Sequence, residues 1–273
     1  MENTIKNLLA ERGIHLVAHL PLSECHVQKP YLLQRAGIEN GTAFLFAVPY
    51  YTTNCDDPAS NISAYAVSRD YHLFFKQLFD ELLSLLQKCF PENRFAGFTD
   101  HSPIAEVEAA VRAGLGFFGK NHLFLTKEHS SFVFLGEIIT DKLFSAIPVT
   151  SQSCDGCNAC LSACPVGLDI SKCVSALTQK KGEFSAEERA QLLAHKCAWG
   201  CDICQRACPI TKRARANGTL YTSIPFFQNS ALTPLTASAL RAMSDEEFST
   251  RAYSWRGRDT ILRNLEILEK GEP

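Results

Sequence analysis

Apolar runs of strand length occupy Ile14–Ala18 and Ala43–Val48, the second closed by Pro49, and Phe132–Ile139 reads as a buried strand. Between them the period changes. Phe75, Leu78, Phe79, Leu82 and Leu86 recur at helical spacing, which predicts one long helix over residues 61–89 with Pro91 beyond its end. A second helix is predicted to open with Ser102 as N-cap and Pro103 at its first position, where a missing N–H costs nothing. Its apolar face would be Ile104, Val107 and Val111, and Gly114 would supply a left-handed C-terminal cap. Residues 1–149 therefore read as an α/β or α+β domain, 150–212 as a separate cysteine module, and 213–273 as a weakly helical extension with Pro225 and Pro234 in an irregular connector.

The cysteine module carries the candidate chemistry. Nine of the twelve cysteines lie between 154 and 208, and four of them form Cys154-x2-Cys157-x2-Cys160-x3-Cys164-Pro165. That run is the ligand pattern of a bacterial 4Fe–4S ferredoxin, and a truncated copy follows at Cys201-x2-Cys204-x3-Cys208-Pro209. Three thiolates on a tight turn each reach one iron corner, the fourth points to a neighbouring cluster, and the proline turns the chain away. Two crossed runs predict two clusters and a protein that moves electrons. Cys154, Cys157, Cys160 and Cys208 complete one set; Cys164, Cys201 and Cys204 give three ligands to the other, with Cys173 and Cys197 both open as the fourth. Zinc needs only two C-x2-C pairs, less than this repeated spacing provides. A disulfide framework is disfavoured because the chain opens MENTIKNLLA without a secretory apolar core, an expectation of a reducing, cytoplasmic setting.

Composition narrows the classes. Hydrophobic content of 46% with 21% charged residues describes an ordinary globule, and no apolar run approaches the roughly 20 residues that span a bilayer, so no membrane partner is expected. With 27 basic against 29 acidic residues, no global field recruits nucleic acid. Local groups at Lys212, Arg213 and Arg215 and at Arg251, Arg256, Arg258 and Arg263 are either a solvated surface or a phosphate-binding face. Gly114-Leu-Gly-Phe-Phe-Gly119-Lys120 matches G-x-G-x-x-G and, with Asn121, nearly matches a P-loop. Both motifs need a strand before the glycines and a helix after them. Here the order is reversed, and the glycines are expected instead to let a flat cofactor approach the backbone.

The double cysteine run, Ala113–Leu125, Phe134–Thr140 and Arg69-Asp-Tyr-His72 together resemble the epoxyqueuosine reductase family, from about residue 40 to about residue 265, with Arg263-Asn264 still in step. That family is cobalamin-dependent, carries iron–sulfur clusters, completes queuosine synthesis on tRNA, and is related in its core to reductive dehalogenases. The resemblance implies an α+β fold: a nitroreductase-like cobalamin-binding core at 1–149, a double 4Fe–4S ferredoxin-like module at 150–212, and a C-terminal helical extension at 213–273. It implies Cys173 as the missing ligand, leaving Cys197 spare, and aligns the family's catalytic acid with Asp100. Gly116, Gly119, Lys120, Asn121, Arg69 and Tyr71 are implied contacts to cofactor or substrate. None of the eight histidines sits in D-x-H-x-x-G, which fits base-off cobalamin without a histidine ligand.

Reducing an epoxide to an alkene takes two electrons and two protons, and the oxygen leaves as water. The implied division of labour has the cofactors supply electrons from an external low-potential donor while Asp100 protonates the departing oxygen. Full-length family members continue into helical repeats that grip tRNA, so this short form is expected to hold tRNA more weakly. The alternatives are a cobalamin-dependent reductase of a free nucleoside or other small electrophile, and an iron–sulfur electron carrier with no substrate of its own.

Overall fold

A computed structural model describes residues 1–149 and 152–271. The sequence-based bounds at 150 and 273 fall outside the described residues. The chain forms two compact units, one of residues 1–49 and 72–157 and one of 50–71 and 158–273. This spatial division cuts the chain differently from the linear segments read above: residues 50–71 group with the C-terminal half, and 158–212 and 213–273 share one unit. Among the described residues, no helix is long and apolar enough to cross a membrane.

Numbered in chain order, the first unit carries α1 (Glu2–Ala10), β1 (Leu16–Pro21), α2 (Pro30–Ala36) and β2 (Thr42–Pro49). It also carries α4 (Tyr71–Cys89, from His72 onward), β3 (Phe95–Phe98), α5 (Glu106–Arg112), β4 (Phe117–Phe118), β5 (Phe124–Leu125) and β6 (Val133–Thr140). Four strands form an antiparallel sheet in the order β1-β2-β6-β3. Every residue of β2 is buried, as a central strand covered on both faces requires. On one face Phe46 stacks against Phe75 of α4 and meets Phe79 edge-on, and Gly136 of β6 leaves room for the Phe46 and Phe75 rings. On the other, Ala43, Leu45, Ala47 and Ile139 pack with Ala109 and Ala110 of α5. The small alanines let α5 lie close to the sheet, so its inner face is Ala109 and Ala110, with Val107 and Val111 only half-buried.

The second unit holds α3 (Ala64–Val67) and a run of mostly short helices: α6 (Ala159–Ala163), α7 (Val174–Thr178), α8 (Ala186–His195), α9 (Ile203–Ala207) and α10 (Pro209–Ala216). It continues through α11 (Pro225–Asn229), α12 (Ala237–Ala242), α13 (Asp245–Ser249) and α14 (Arg258–Lys270). Trp199 is fully buried and donates its indole N–H to Tyr65 Oη at 2.6 Å. Asn264 of α14, also fully buried, donates to the carbonyls of Thr178 and Ala198 at 2.7 and 2.8 Å, tying the C-terminal helix to the segment before the second cysteine run.

Two expectations are corrected. The single helix over 61–89 is broken: α3 ends at Val67 and Ser68 is extended. Ser68 Oγ donates to the Phe227 carbonyl at 2.6 Å, the Arg69 N–H to Ser230 Oγ at 3.1 Å, and the Asp70 N–H to the Thr250 carbonyl at 2.8 Å. Distant partners satisfy this backbone in place of a helical ladder. The second correction is that Ser102 caps no helix. Residue 104 bridges to Val27, the Pro103 carbonyl accepts the N–H groups of Gln28 and Lys29, and α5 opens four residues after Ser102 at Glu106. Gly114, at φ +76, does take the left-handed conformation beyond the end of α5.

Candidate functional site

Asp100 sits in the turn after β3, with φ +59, a left-handed conformation in which Asp is tolerated better than most residues. Its N–H donates to Glu106 Oε2 at 3.2 Å, across the turn to the first residue of α5. Its carboxylate Oδ2 lies 3.6 Å from His72 Nε2 at the start of α4, and both side chains are exposed. The next residue, His101, is held between Lys29 Nζ, 3.1 Å from Nδ1, and Tyr31 Oη, 2.9 Å from Nε2. An ammonium can only donate, so Nδ1 accepts and Nε2–H donates to the tyrosine. The turn therefore presents an exposed carboxyl with an imidazole beside it and a fixed backbone beneath.

Two carboxyls lie under this turn. Glu137 projects from the central strand β6, is wholly buried, and accepts the Ser102 hydroxyl on Oε1. Burial pushes its carboxyl up to about 8. Glu106 is pushed up to about 7, chiefly by burial, with the Asp100 charge adding to it. Neither glutamate was singled out from the sequence. The available signal was a lone ionisable residue at an inward position of the apolar strand Phe132–Ile139.

Gly116 and Gly119 belong to the tight hairpin of β4 and β5. A Cβ at Gly116 would strike the Leu125 carbonyl and the Phe124 ring, and one at Gly119 the side chains of Asn121 and Leu125. The hairpin's own packing thus accounts for both glycines, a different physical reason from close cofactor approach. Phe118 and Lys120 are exposed on the same hairpin and Asn121 is half-buried. Arg69 and Tyr71 lie in the second unit, where the Arg69 guanidinium stands 5.0 Å from the Phe226 ring centre.

The cysteine runs build two matching turns. Helix α6 lies within the first run, carries Cys160 and is capped by Cys164; α9 lies within the second, carries Cys204 and is capped by Cys208. Both terminal cysteines are extended and are followed by Pro165 and Pro209, and the two helices pack against each other. The described residues include all twelve cysteines, and none of them forms a disulfide. Burial pushes the Cys201 thiol up to about 11, and Cys173 and Cys164 lie near enough for their charges to add to that shift. Cys197 is turned instead onto backbone, donating to the Trp199 and Gly200 carbonyls at 3.4 and 3.2 Å, and burial pushes it up to about 12. Among the described residues, no three His, Cys or carboxylate side chains converge on one point as a single-ion site requires. A cubane makes a different demand, one thiolate at each of four iron corners, and this all-thiol donor set suits it.

The arginine groups divide sharply. Arg251 is buried and donates to the carbonyls of Ser230 and Val67. Arg258 binds the Leu240 and Ser244 carbonyls and Asp245, and Arg263 binds the Gly182 and Lys180 carbonyls over the Phe184 ring. Arg215 pairs with Asp56 at 2.7 Å. Lys212 and Arg213 are exposed on α10.

A family model described as epoxyqueuosine reductase QueG, DUF1730, matches residues 39–101, from the turn before β2 through the Asp100 turn. An epoxyqueuosine reductase of Listeria monocytogenes is 34% identical over 73% of this chain and 54% of its own length, and one from Gloeobacter violaceus is 35% identical over 72% and 65%. The chain thus spans between about half and two thirds of these curated relatives. Among solved structures, epoxyqueuosine reductase from Streptococcus thermophilus superposes with a TM-score of 0.77 at 22% identity, covering 99% of this chain and 81% of that one. An epoxyqueuosine reductase solved with an epoxyqueuosine-modified tRNA-Tyr stem loop gives 0.72 at 24%, covering 98% and 80%. These structures share the mixed α+β fold described above. By the relatives it matches at about a third identity, and by the profile that runs into the Asp100 turn, the chain belongs to the epoxyqueuosine reductase family.

Proposed function

We propose that this chain is a cobalamin- and iron–sulfur-dependent reductase that removes the epoxide oxygen of epoxyqueuosine, with Asp100 as the acid that protonates it. The observation that carries this reading is the Asp100 turn: an exposed carboxyl in a left-handed conformation, flanked by His72 and anchored through its N–H to Glu106. A relative from Bacillus subtilis, of similar fold at a TM-score of 0.71, is described with a catalytic aspartate loop that swings out of the active site. Asp100 stands in the turn after β3, and the aspartate loop of that relative supports reading it as the acid.

In this reading the first unit is the nitroreductase-like core and the cysteine segment a ferredoxin-like electron module. Spacing groups Cys154, Cys157, Cys160 and Cys208 about one 4Fe–4S cluster and Cys164, Cys201 and Cys204 about the other, and the family resemblance adds Cys173 as the fourth ligand of the second. The grouping of Cys173 and Cys164 about Cys201, and the turning of Cys197 onto carbonyls, support that second set. Base-off cobalamin would lie against the exposed residues of the β4–β5 hairpin, supplying the strongly reducing centre for cleavage of the carbon–oxygen bond. Asp100 would give its proton to the departing oxygen, and His72 would hold the carboxyl toward the substrate. A tRNA stem loop is the proposed carrier of the epoxide, since a relative of the same fold is solved with one.

The test is conversion. Protein loaded anaerobically with iron, sulfide and cobalamin, and given a strong one-electron reductant, should turn epoxyqueuosine in a tRNA stem loop into queuosine, read by mass as loss of one oxygen. Failure on both the tRNA-borne and the free nucleoside epoxide, with both cofactors bound, would overturn it.

A further inference from the structure

Glu137 is out of place by ordinary packing rules. It stands on the strand β6 with Leu45 and Phe98 as its cross-strand neighbours, on the face that packs with Ala109 and Ala110. Its Oε1 accepts the Ser102 hydroxyl, and its buried Oε2 has no hydrogen-bond partner among the described residues. Ionised or not, the carboxyl leaves one polar atom unpaired in the interior, a burden that an apolar side chain would not carry. It makes one hydrogen bond, and that bond goes to the Asp100 turn.

The turn is held from several directions. The Ala105 N–H donates to the His26 carbonyl, the Pro103 carbonyl accepts the N–H groups of Gln28 and Lys29, and His101 sits between Lys29 and Tyr31. Glu106 holds the Asp100 N–H. Strand β6 holds the turn at two points that bracket Asp100. Thr99 Oγ1 donates to the Leu135 carbonyl at 2.7 Å. Ser102 Oγ, which also accepts the Ile104 N–H at 3.0 Å, donates to Glu137. The first anchor is a backbone carbonyl that any strand residue supplies; the second exists only because a carboxyl stands at 137. Between the anchors Asp100 keeps φ +59, a conformation that a non-glycine residue holds only where its surroundings fix it. Building on the role given to Asp100 above, we propose that Glu137 is a positioning residue for that acid: through the Ser102 hydroxyl it latches the turn to β6 and keeps Asp100 in the left-handed conformation that presents its carboxyl.

Such a latch depends on pH. Burial pushes the Glu137 carboxyl up to about 8. The titratable groups that face it are Glu106 from α5 and the Cys25 thiol from the segment between β1 and α2. Lys29 and Asp100 act on Glu106, and Arg112, Glu24 and Glu108 on Cys25; strands β2 and β3 carry no ionisable side chain. A turn that opens wets the carboxyl, returns it toward its ordinary 4.5 and releases its proton. The closed turn is therefore favoured fully below about pH 4.5 and loses that support as pH rises through 8.

The first test needs no substrate: hydrogen exchange of residues 99–105, read by mass spectrometry on cluster-loaded protein. Ser102→Ala and Glu137→Leu should each speed exchange there about fivefold or more, the worth of one net hydrogen bond, with β2 and α4 unchanged. Wild-type exchange, corrected for the intrinsic rate, should rise with pH between about 5 and 8. Glu137→Gln keeps an acceptor for Ser102 but cannot ionise, and should stay flat. The second test is turnover of the fully loaded enzyme. Ser102→Ala and Glu137→Leu should lower kcat about fivefold or more with KM little changed, and Glu137→Gln, the conservative replacement, should restore most of the loss at neutral pH. The double variant Ser102→Ala/Glu137→Leu removes donor and acceptor together, so it should regain the thermal midpoint of wild type without regaining kcat. Ser102→Ala alters no charge and stands in if Glu137→Leu does not fold. Unchanged exchange at 99–105 in the single variants, or a double variant that recovers kcat along with stability, would overturn the latch. Full activity of Asp100→Asn would instead overturn the role of Asp100, and the exchange data would still decide whether Glu137 holds the turn.

Discussion

His72 Nε2 stands 3.6 Å from Asp100 Oδ2, so the first turn of the long helix α4 meets the turn that follows β3. Both side chains are exposed, and an exposed pair of this kind adds at most about 1 kcal/mol to stability. Its value lies in direction, because it limits where the Asp100 carboxyl can point. His72→Ala should therefore leave the thermal midpoint within a few degrees of wild type while lowering kcat more than it changes KM. Asp100→Asn should go further, by about 10²–10⁴-fold, with iron and corrin content unchanged, since the amide keeps the shape but cannot donate an acid proton. Steady-state kinetics beside iron and cobalamin analysis separates the two effects, and a loss at Asp100 below about tenfold would count against its role.

The two spare-ligand candidates make opposite expectations. Cys173 and Cys197 both lie near enough to Cys201 to feel its charge, but Cys197 donates to two backbone carbonyls. Cys197→Ser should keep about eight irons per chain, from two cubanes, because a hydroxyl can make the same two hydrogen bonds. Cys173→Ser should lose or convert one cluster. Iron analysis with electron paramagnetic resonance of the reduced protein distinguishes them, and the reverse outcome would exchange the assignment.

Glu137 gives stability a specific pH dependence. Its folded value of about 8 stands above the ordinary 4.5, so between those limits the native state keeps a proton that the unfolded chain has released. Its contribution is fully present below about pH 4.5 and is lost as pH rises through 8. Glu106 adds a weaker effect of the same sign, complete by about pH 7. Denaturant unfolding from pH 5 to 9 should show Glu137→Gln losing less stability than wild type between pH 5 and 8, with the two curves running parallel above that. Parallel curves throughout would show that Glu137 titrates normally.

Binding of a tRNA stem loop should depend on the exposed Lys212 and Arg213 and be strongly salt-sensitive. Replacing both with alanine should weaken binding at low salt and flatten the slope of log K against log salt by about two, at roughly one unit per phosphate contact. Arg251→Ala should instead destabilise the fold, because three of its bonds are internal and its guanidinium is buried. Fluorescence anisotropy across a salt series, beside a melting curve, reads both.

The sequence by itself determined what is written locally along the chain. The apolar runs placed β2 and β6, the reversed order of helix, glycines and strand at Gly114–Asn121 argued against a nucleotide loop, and the repeated cysteine spacing marked out what fold into the paired turns of α6 and α9. Each is a short-range pattern that a few neighbouring residues specify. Only the tertiary structure decided what depends on partners far away in sequence. Residues 68–70 leave the helical pattern because Phe227, Ser230 and Thr250 take their hydrogen bonds. Ser102, with every local mark of a helix cap, turns to Glu137, 35 residues on. Arg251, Arg258 and Arg263 look like a basic face in the sequence, yet their guanidinium groups are spent on carbonyls inside the second unit. A buried polar group is fixed by whichever donor or acceptor the fold brings within 3 Å or so, and that choice has no period along the chain.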